Sequence, residues 1–338
     1  MAPGRKRLQK IQLGKEAVAG TLVPATTIWR GAGATISDDR TLEEIEELSG
    51  IFEGPDRTNI TAYKSTLELS STPLTFEQVP YLFAMAFGGP TTGVADGTGS
   101  DFIYTTNLPT TSVAAPVTYS VRAGDDFQAE SMTYSVCTKI GIEFTAGKTA
   151  TMSASLLGRE TKVTTFTPAL ALPEVEDVLG SKFKVYLDDV SGSYGTTQVS
   201  NAVLAGKINF ELTWEPKYTL DGSLDYSYVM LTGYKATGEL TYEHDTAVSG
   251  TGGAKEFYRN QTAKLLQLKA EGSAFGTPGT AYSNKTFILD LPIKFTKIGV
   301  LGDQNGNDIV VMSFRSRYNL TAGNAGAVIV ANELTALP

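Results

Sequence analysis

The sequence predicts a mainly β fold that contains two tandem copies of one β-rich unit. Several segments alternate apolar and polar residues with the period of a β-strand. In addition, the motif YKSTLEL at 63–69 recurs as YKATGEL at 234–240, which is 171 residues later in a chain of 338. A helical segment follows the motif in both halves. We therefore expect two similar units, each with one flanking α-helix.

Three segments show the alternation that half-buried antiparallel strands require: 136–145, 207–214 and 287–295. Their apolar positions share one face, which we expect in the core: Val136, Ile140, Ile142, Phe144, Ile208, Phe210, Leu212, Trp214, Phe287, Leu289, Leu291, Ile293 and Phe295. Pro292 has no N–H to donate, so we expect an edge position or a bulge there. The pair Asn305-Gly306 predicts a two-residue hairpin turn.

Helical spacing is found at 75–89, in TFEQVPYLFAMAFGG. Thr75 and Gln78 have the spacing of a capping box, and Gly88 is expected to end the helix. In the second half, the corresponding helical segment is GGAKEFYRNQTA at 252–263.

The repeat suggests a division of the chain into three parts. Residues 1–29 are basic near their start and are expected to form a mobile N-terminal arm, 30–175 the first unit and 176–338 the second. Paired strands are expected after each helix, over 117–157 and 264–318.

A long segment at 30–60 within the first unit shows no strand pattern and contains the acidic run EEIEE at 43–47. One interpretation is a solvated acidic loop or short helix. The other is a protein–protein contact, because Ile45, Leu48, Ile51 and Phe52 offer apolar surface to bury.

Composition excludes several functions. The net charge is −8 and the pI is about 4.9, whereas proteins that hold nucleic acid through its phosphates present a basic face. No segment approaches the ~20 apolar residues of a membrane-spanning helix, and the N-terminus lacks the apolar region of a secretory signal. The single cysteine, Cys137, excludes an internal disulfide and indicates synthesis in a reducing cytoplasm.

No pattern of residues predicts chemistry. His244 is the only histidine, and its neighbour Asp245 would point to the opposite face of a strand, so a catalytic triad is not expected. The glycine runs lack the Lys-Ser/Thr of a phosphate loop, and DQNGND at 303–308 lacks the later glutamate of a calcium loop. We therefore expect no enzyme activity, no metal and no cofactor.

Several segments resemble the major tail tube protein of long, non-contractile-tailed (siphovirus-type) bacteriophages. They are LGKEAVAGTLVPATTIWRG (13–31), PYLFAMAFGG (80–89), FILDLPIKFTKIG (287–299), DQNGNDIVVMSFRSRYN (303–319) and VIVANEL (328–334). The resemblance implies β-sandwich or barrel units with one flanking helix, whose sheets join into a ring-spanning β-barrel. Single-unit members form hexameric rings, and duplicated members form trimeric rings of pseudo-sixfold symmetry. The repeat at Tyr63 and Tyr234 is typical of the duplicated form.

The resemblance also implies a function and a location. The chain would be a virion structural protein that polymerises with itself as stacked rings, made in the host bacterial cytoplasm. Its further partners would be the tape-measure, tail-tip and tail-terminator proteins. Double-stranded DNA would pass through the tube without tight binding, and an acidic surface would favour that passage.

The arm and the segment 30–60 resemble the ring-to-ring contact segments of that family. The resemblance implies inter-ring contacts between two charged groups, with apolar residues beside the acidic group. The basic residues are Arg5, Lys6, Arg7 and Lys10; the acidic ones are Glu43, Glu44, Glu46 and Glu47; the apolar ones are Ile45, Leu48 and Phe52. Exposed ion pairs are worth only ~0–1 kcal/mol each, so they would set register more than strength.

Two other classes remain open. A tube subunit of a contractile tail or secretion apparatus would share the fold, although such chains are shorter and unduplicated. A β-sandwich binding module would display aromatic side chains on one face, but only Trp29 and Trp214 are available and Trp214 lies on an apolar strand face. Self-association separates the tube proteins from a binding module or an enzyme.

Overall fold

The computed structural model describes residues 4–31, 33–54 and 56–338. Strands account for 51% of the chain and pair into one branched antiparallel sheet, which confirms the mainly β prediction. The described strands do not close into a barrel. None of the described helices is long and apolar enough to cross a membrane.

The first half of the chain contributes ten strands and one helix. In order these are β1 (Lys10–Lys15), β2 (Thr27–Trp29), β3 (Ile36–Glu44), β4 (Thr58–Pro73), α1 (Val79–Phe87), β5 (Val94–Ala95), β6 (Phe102–Asn107), β7 (Tyr119–Gly124), β8 (Ala129–Thr145), β9 (Thr151–Gly158) and β10 (Lys162–Thr164).

The second half contributes seven strands and two short helices. They are β11 (Phe183–Asp189), β12 (Val203–Lys217), β13 (Tyr228–Glu243), α2 (Thr246–Ser249), α3 (Ala254–Arg259), β14 (Lys264–Ala274), β15 (Asn284–Gln304), β16 (Asn307–Ser316) and β17 (Ala327–Asn332). Short 3₁₀ turns cover Lys6–Leu8 and Gly180–Lys182.

Strands of the two halves pair in the same pattern. In the first half β4 lies between β3 and β9, and in the second half β13 lies between β12 and β16. The long strand β8 pairs with β7, β10 and β9, just as β15 pairs with β14, β17 and β16. The pair β1–β7 corresponds likewise to β11–β14.

The repeated motif occupies the same place in both patterns. Its glutamate is Glu68 on β4 and Glu239 on β13, and each lies opposite a serine of the next strand. Ser155 Oγ donates to Glu68 at 2.6 Å, and Ser313 Oγ donates to Glu239 at 3.1 Å. The recurring glutamate therefore makes the same cross-strand hydrogen bond twice.

A β-bulge also recurs beside the motif. Residues Thr61 and Thr232 are the extra residues where the β3–β4 and β12–β13 ladders shift register. Their hydroxyls donate to the carbonyl oxygens of Thr41, at 3.3 Å, and Thr213, at 3.1 Å. A bulge increases local twist, so both hairpins bend at the same point.

Each long strand contains the sequence Thr-Lys-Ile-Gly, at 138–141 in β8 and at 296–299 in β15. Its threonine is a bulge residue in both strands. Thr138 donates to Ser155 O at 3.1 Å, and Thr296 donates to Ser313 O at 3.3 Å. These matches show which residues of β8 and β15 correspond: Lys139 corresponds to Lys297, and Ile140 to Ile298.

Two ladders join the halves: β12 pairs with β8, from Ala205–Thr145 to Glu211–Lys139, and β17 pairs with β6, from Ala327–Asn107 to Asn332–Phe102. Helix α1 is buried beneath the junction of β8 and β12. The rings of Phe83 and Phe87 lie 5.5 and 6.1 Å from that of Phe210. All the apolar strand positions predicted to face the core are buried.

Two predictions about the first half were wrong. Residues 10–15 do not belong to a mobile arm but form β1, which pairs with β2 and β7 and buries Ile11 and Leu13. The segment 30–60 is not a loop, because β3 and the first residues of β4 pair there as a hairpin. Every residue of β3 after Ile36 is exposed, so the strand shows no alternation of apolar and polar residues.

The structure confirms some of the predictions made from turn, capping and proline residues and contradicts others. Asn305 and Gly306 form the predicted turn with φ of 56° and 87°. Gly88 ends α1 in the left-handed conformation, but the helix begins at Val79, so the Thr75–Gln78 hydrogen bond precedes it. Pro292 is neither at an edge nor in a bulge: it pairs with β14 and fills the gap between the β17 and β16 ladders.

We expect Phe210→Ala to lower the free energy of unfolding by about 3–5 kcal/mol, because the change leaves a cavity beneath the junction of the two halves. Asp38→Ala is the matched control, since Asp38 holds the corresponding position on β3 and is exposed there. Its effect should stay within about 1 kcal/mol. Chemical denaturation followed by tryptophan fluorescence measures both, and equal losses would contradict the assignment.

Candidate assembly surface

The described residues contain no cluster of three or more potential metal ligands. His244 Nε2 lies 3.0 Å from Lys255 Nζ, whereas Asp245 caps α2 by accepting from Ala247 N at 2.8 Å. Burial raises the pKa of the Cys137 thiol to about 12, so that thiol stays protonated and unreactive at neutral pH. Asp245 therefore caps a helix, and the Cys137 thiol is buried.

Among the strand edges that have no partner in the described chain, two are related to the β8–β12 junction. Strand β3 pairs on one side only, with β4. Strand β15 is paired by β14 up to Ile293, and from Lys294 onward that same side has no neighbour. The corresponding side of β8 is paired by β7 up to Ser135 and then by β12 from Lys139. The two open edges therefore correspond to the two partners of the internal junction.

The internal junction presents a row of polar side chains on the face opposite α1. Across five neighbouring strands this row reads Glu68, Ser155, Lys139, Glu211, Lys235. The corresponding row in the second half begins Glu239, Ser313, Lys297 and stops at the open edge of β15. The second row has no residues in the places of Glu211 and Lys235. The residues that correspond to these two are Asp39 on β3 and Lys64 on β4, which pair with each other.

This polar face is mixed in charge. Lys207 forms an ion pair with Glu143, and Lys235 lies 4.0 Å from Glu211. Lys294 lies opposite Arg315 on the same face. The acidic excess of the chain is therefore not concentrated on this face of the sheet.

The other face of β3 differs from that of β12. Asp38 and Arg40 hold the positions that correspond to the buried Phe210 and Leu212. Arg40 bonds Asp38 at 3.0 Å and lies over the Tyr63 ring, 4.9 Å from its centroid. The hydrogen bond to Asp38 raises the pKa of Arg40 above its ordinary value. Charges that point toward the core side of an edge strand discourage pairing with arbitrary partners.

The predicted acidic contact residues lie at the end of the β3–β4 hairpin. Glu43 and Glu44 end β3, while Ile45, Glu46, Glu47, Leu48 and Phe52 lie in the tip at 45–57. Leu48 and Phe52 are fully exposed. Glu47 forms an ion pair with Arg57 of the same tip. The hairpin therefore presents apolar side chains among carboxylates.

The predicted basic residues lie elsewhere. Arg5 N donates to Asp126 at 2.8 Å, and Lys6 and Arg7 form the 3₁₀ turn. Lys10 begins β1, where its ammonium lies 4.4 Å from the centroid of the Phe166 ring. Within one chain, no ion pair among the described residues joins the basic group to the acidic hairpin. Their pairing across copies stays a prediction.

Neither a scan of protein-family models nor a search of curated proteins finds a match to this chain.

Sequence patterns did not predict the open edges of β3 and β15, because the order of the strands in the sheet decides which edges are open. One signal for them was present in the repeated Thr-Lys-Ile-Gly at 138–141 and 296–299. That repeat shows which strand of the second half corresponds to β8.

We expect Trp214→Phe to destabilise the internal junction by about 1–3 kcal/mol, because it removes a buried hydrogen bond. Trp214 Nε1 donates to Cys137 O at 2.9 Å. The control is Trp29→Phe, since Trp29 is equally buried and its Nε1 has no partner among the described residues. Urea denaturation should show the larger loss for Trp214→Phe, and the reverse order would contradict this role.

Proposed function

We propose that this chain is the subunit of a bacteriophage tail tube, built from two tandem tail-tube-type units. It would polymerise with itself into rings that stack into a hollow tube. The observation that carries the proposal is the pair of matching open edges, on β3 and on β15. An open edge exposes unpaired N–H and C=O groups, which a second copy can satisfy.

The repeated pairing pattern supports a cyclic arrangement. The chain pairs β8 with β12 once internally, and a copy of that junction between chains would extend the sheet from one chain to the next. A heterologous contact of this kind closes into a ring when its rotation allows. The family resemblance favours three chains, which would supply six units of a ring-spanning β-barrel.

The lumen of such a tube would be lined by one face of the joined sheet. The face opposite α1 suits this role, because its side chains are polar and carboxylates lie among its basic residues, as in the Lys207–Glu143 and Lys235–Glu211 pairs. Interspersed charges of both signs offer no continuous basic track to phosphates, so DNA would pass without tight binding. The tape-measure, tail-tip and tail-terminator proteins would be the other partners, in a virion assembled in the host cytoplasm.

The burial of both tryptophans argues against a binding module. Trp29 and Trp214 are both buried, so neither can form an exposed aromatic platform. A subunit of a contractile tail or secretion tube would share the open edges. It is separated from the proposed function by ring composition, since its chains contain one unit each.

We expect the purified chain to form rings or hollow tubes with a three-chain repeat. Negative-stain electron microscopy and light scattering on the same sample measure this, before and after concentration and warming. Six chains per ring would refute the tandem-unit argument but leave the tube function standing. A chain that stays monomeric under all these conditions would overturn the proposed function.

We expect charge reversal of the hairpin to prevent stacking while leaving ring formation intact. The variant changes Glu43, Glu44, Glu46 and Glu47 to lysine, which would place like charges opposite the basic residues of an adjacent ring. The control changes the same four residues to glutamine and should stack less at low salt only. Tube lengths counted in micrographs measure the effect, and unchanged tubes from the lysine variant would exclude these inter-ring contacts.

A further inference from the structure

The internal junction provides a template for the contact between chains. Glu211 on β12 pairs with Lys139 on β8, and Phe210 pairs with Ile140. The β3–β4 and β12–β13 ladders bring Asp39 into correspondence with Glu211, and Asp38 with Phe210. In β15 the residues that correspond to Lys139 and Ile140 are Lys297 and Ile298.

From this template we infer that β3 of one copy pairs antiparallel with β15 of a second copy, with Asp39 opposite Lys297. On the helix side of these two strands, charged side chains would replace the apolar contact that Phe210 makes with α1 at the internal junction. This inference rests on the proposed self-assembly and specifies its register and chemistry. Beyond Ile298 the template ends, because β15 contains an additional bulge before Leu301 that β8 lacks.

The charges beneath the contact come from a comparison of helices. Helix α1 packs against β8, and α3 packs against β15. All nine residues of α1 are buried, whereas α3 buries only Ala254 and carries Lys255, Glu256 and Arg259. On α1, Phe83 and Phe87 pack on Phe210 within the chain.

Both sides of the contact have thus changed from apolar to charged. The strand presents Asp38 in place of Phe210, and α3 presents the exposed Arg259. Within the chain Asp38 bonds Arg40 and Lys255 lies 3.0 Å from His244 Nε2, so Arg259 is the cation that a second copy would bring to Asp38. A carboxylate that meets this cation is complementary, whereas Asp38 against an apolar helix would be a desolvated charge. The internal junction forms when the chain folds. The open edges of separate chains stay hydrated until two chains meet, and the charged contact between them is sensitive to salt.

The register is tested by disulfide trapping. The double variant Asp39→Cys/Lys297→Cys should give linked oligomers under mild oxidation, because the paired Cα atoms would lie within the ~7 Å that a disulfide spans. The control is Glu43→Cys/Lys297→Cys, whose first cysteine lies about 13 Å further along the strand. Native Cys137 does not interfere, since it is buried.

The electrostatic part is tested by exchanging charges. Asp38→Arg and Arg259→Asp should each raise the protein concentration needed for assembly by about fivefold or more. The double variant should recover most of that loss, and rising salt should weaken the wild-type assembly. All five positions that are changed for trapping or exchange are exposed, so the variants should fold, which circular dichroism checks.

The outcomes separate this inference from the proposed function. Tubes that form without trapping of the Asp39–Lys297 pair would overturn the register and leave the function standing. Tubes that form equally well from both single charge variants would overturn the electrostatic contact. A wild-type chain that does not assemble, together with an Asp39→Cys/Lys297→Cys variant that does not cross-link, would overturn the inference together with the proposed function.

Discussion

Pairing of β8 with β12 is the interaction on which the rest of the structure depends. Together with the β6–β17 pairing it joins the two β-rich halves into one sheet, and it covers α1, whose residues are all buried. The junction can form because β8 extends beyond the end of β7, so that one side of its second half is open to β12. The strand β15 extends beyond β14 in the same way.

Because the β8–β12 junction occurs once in a repeated pairing pattern, its counterparts on β3 and β15 are left unpaired. The chain treats these edges differently from the internal ones. Where β12 buries Phe210 and Leu212, β3 presents Asp38 and Arg40, which bond to each other. An edge of this kind is protected from indiscriminate pairing by its own charges. The internal contact is apolar and belongs to folding, whereas the open edges are polar and suit a contact made later.

Sequence patterns located the buried strand faces because half-buried strands must alternate. Val136, Ile208 and Phe287 are buried as the alternation predicted. The same rule failed for β3, since a strand that buries only Ile36 shows no alternation. It also failed for β1, where four consecutive buried residues, from Ile11 to Gly14, follow a basic start. Charge near the N-terminus suggested an arm, although the strand that follows is covered by its neighbours.

The sequence by itself determined the mainly β class, the Asn305-Gly306 turn and the recurrence of one motif, since these follow from local propensity and from identity of letters. It also supplied the residues of the candidate contacts, such as Glu43 and Phe52. Only the tertiary structure decided that the motif's glutamates occupy equivalent ladder positions and that β3 and β15 have open edges. Strand order is set by contacts between residues far apart in the chain, which no local pattern encodes.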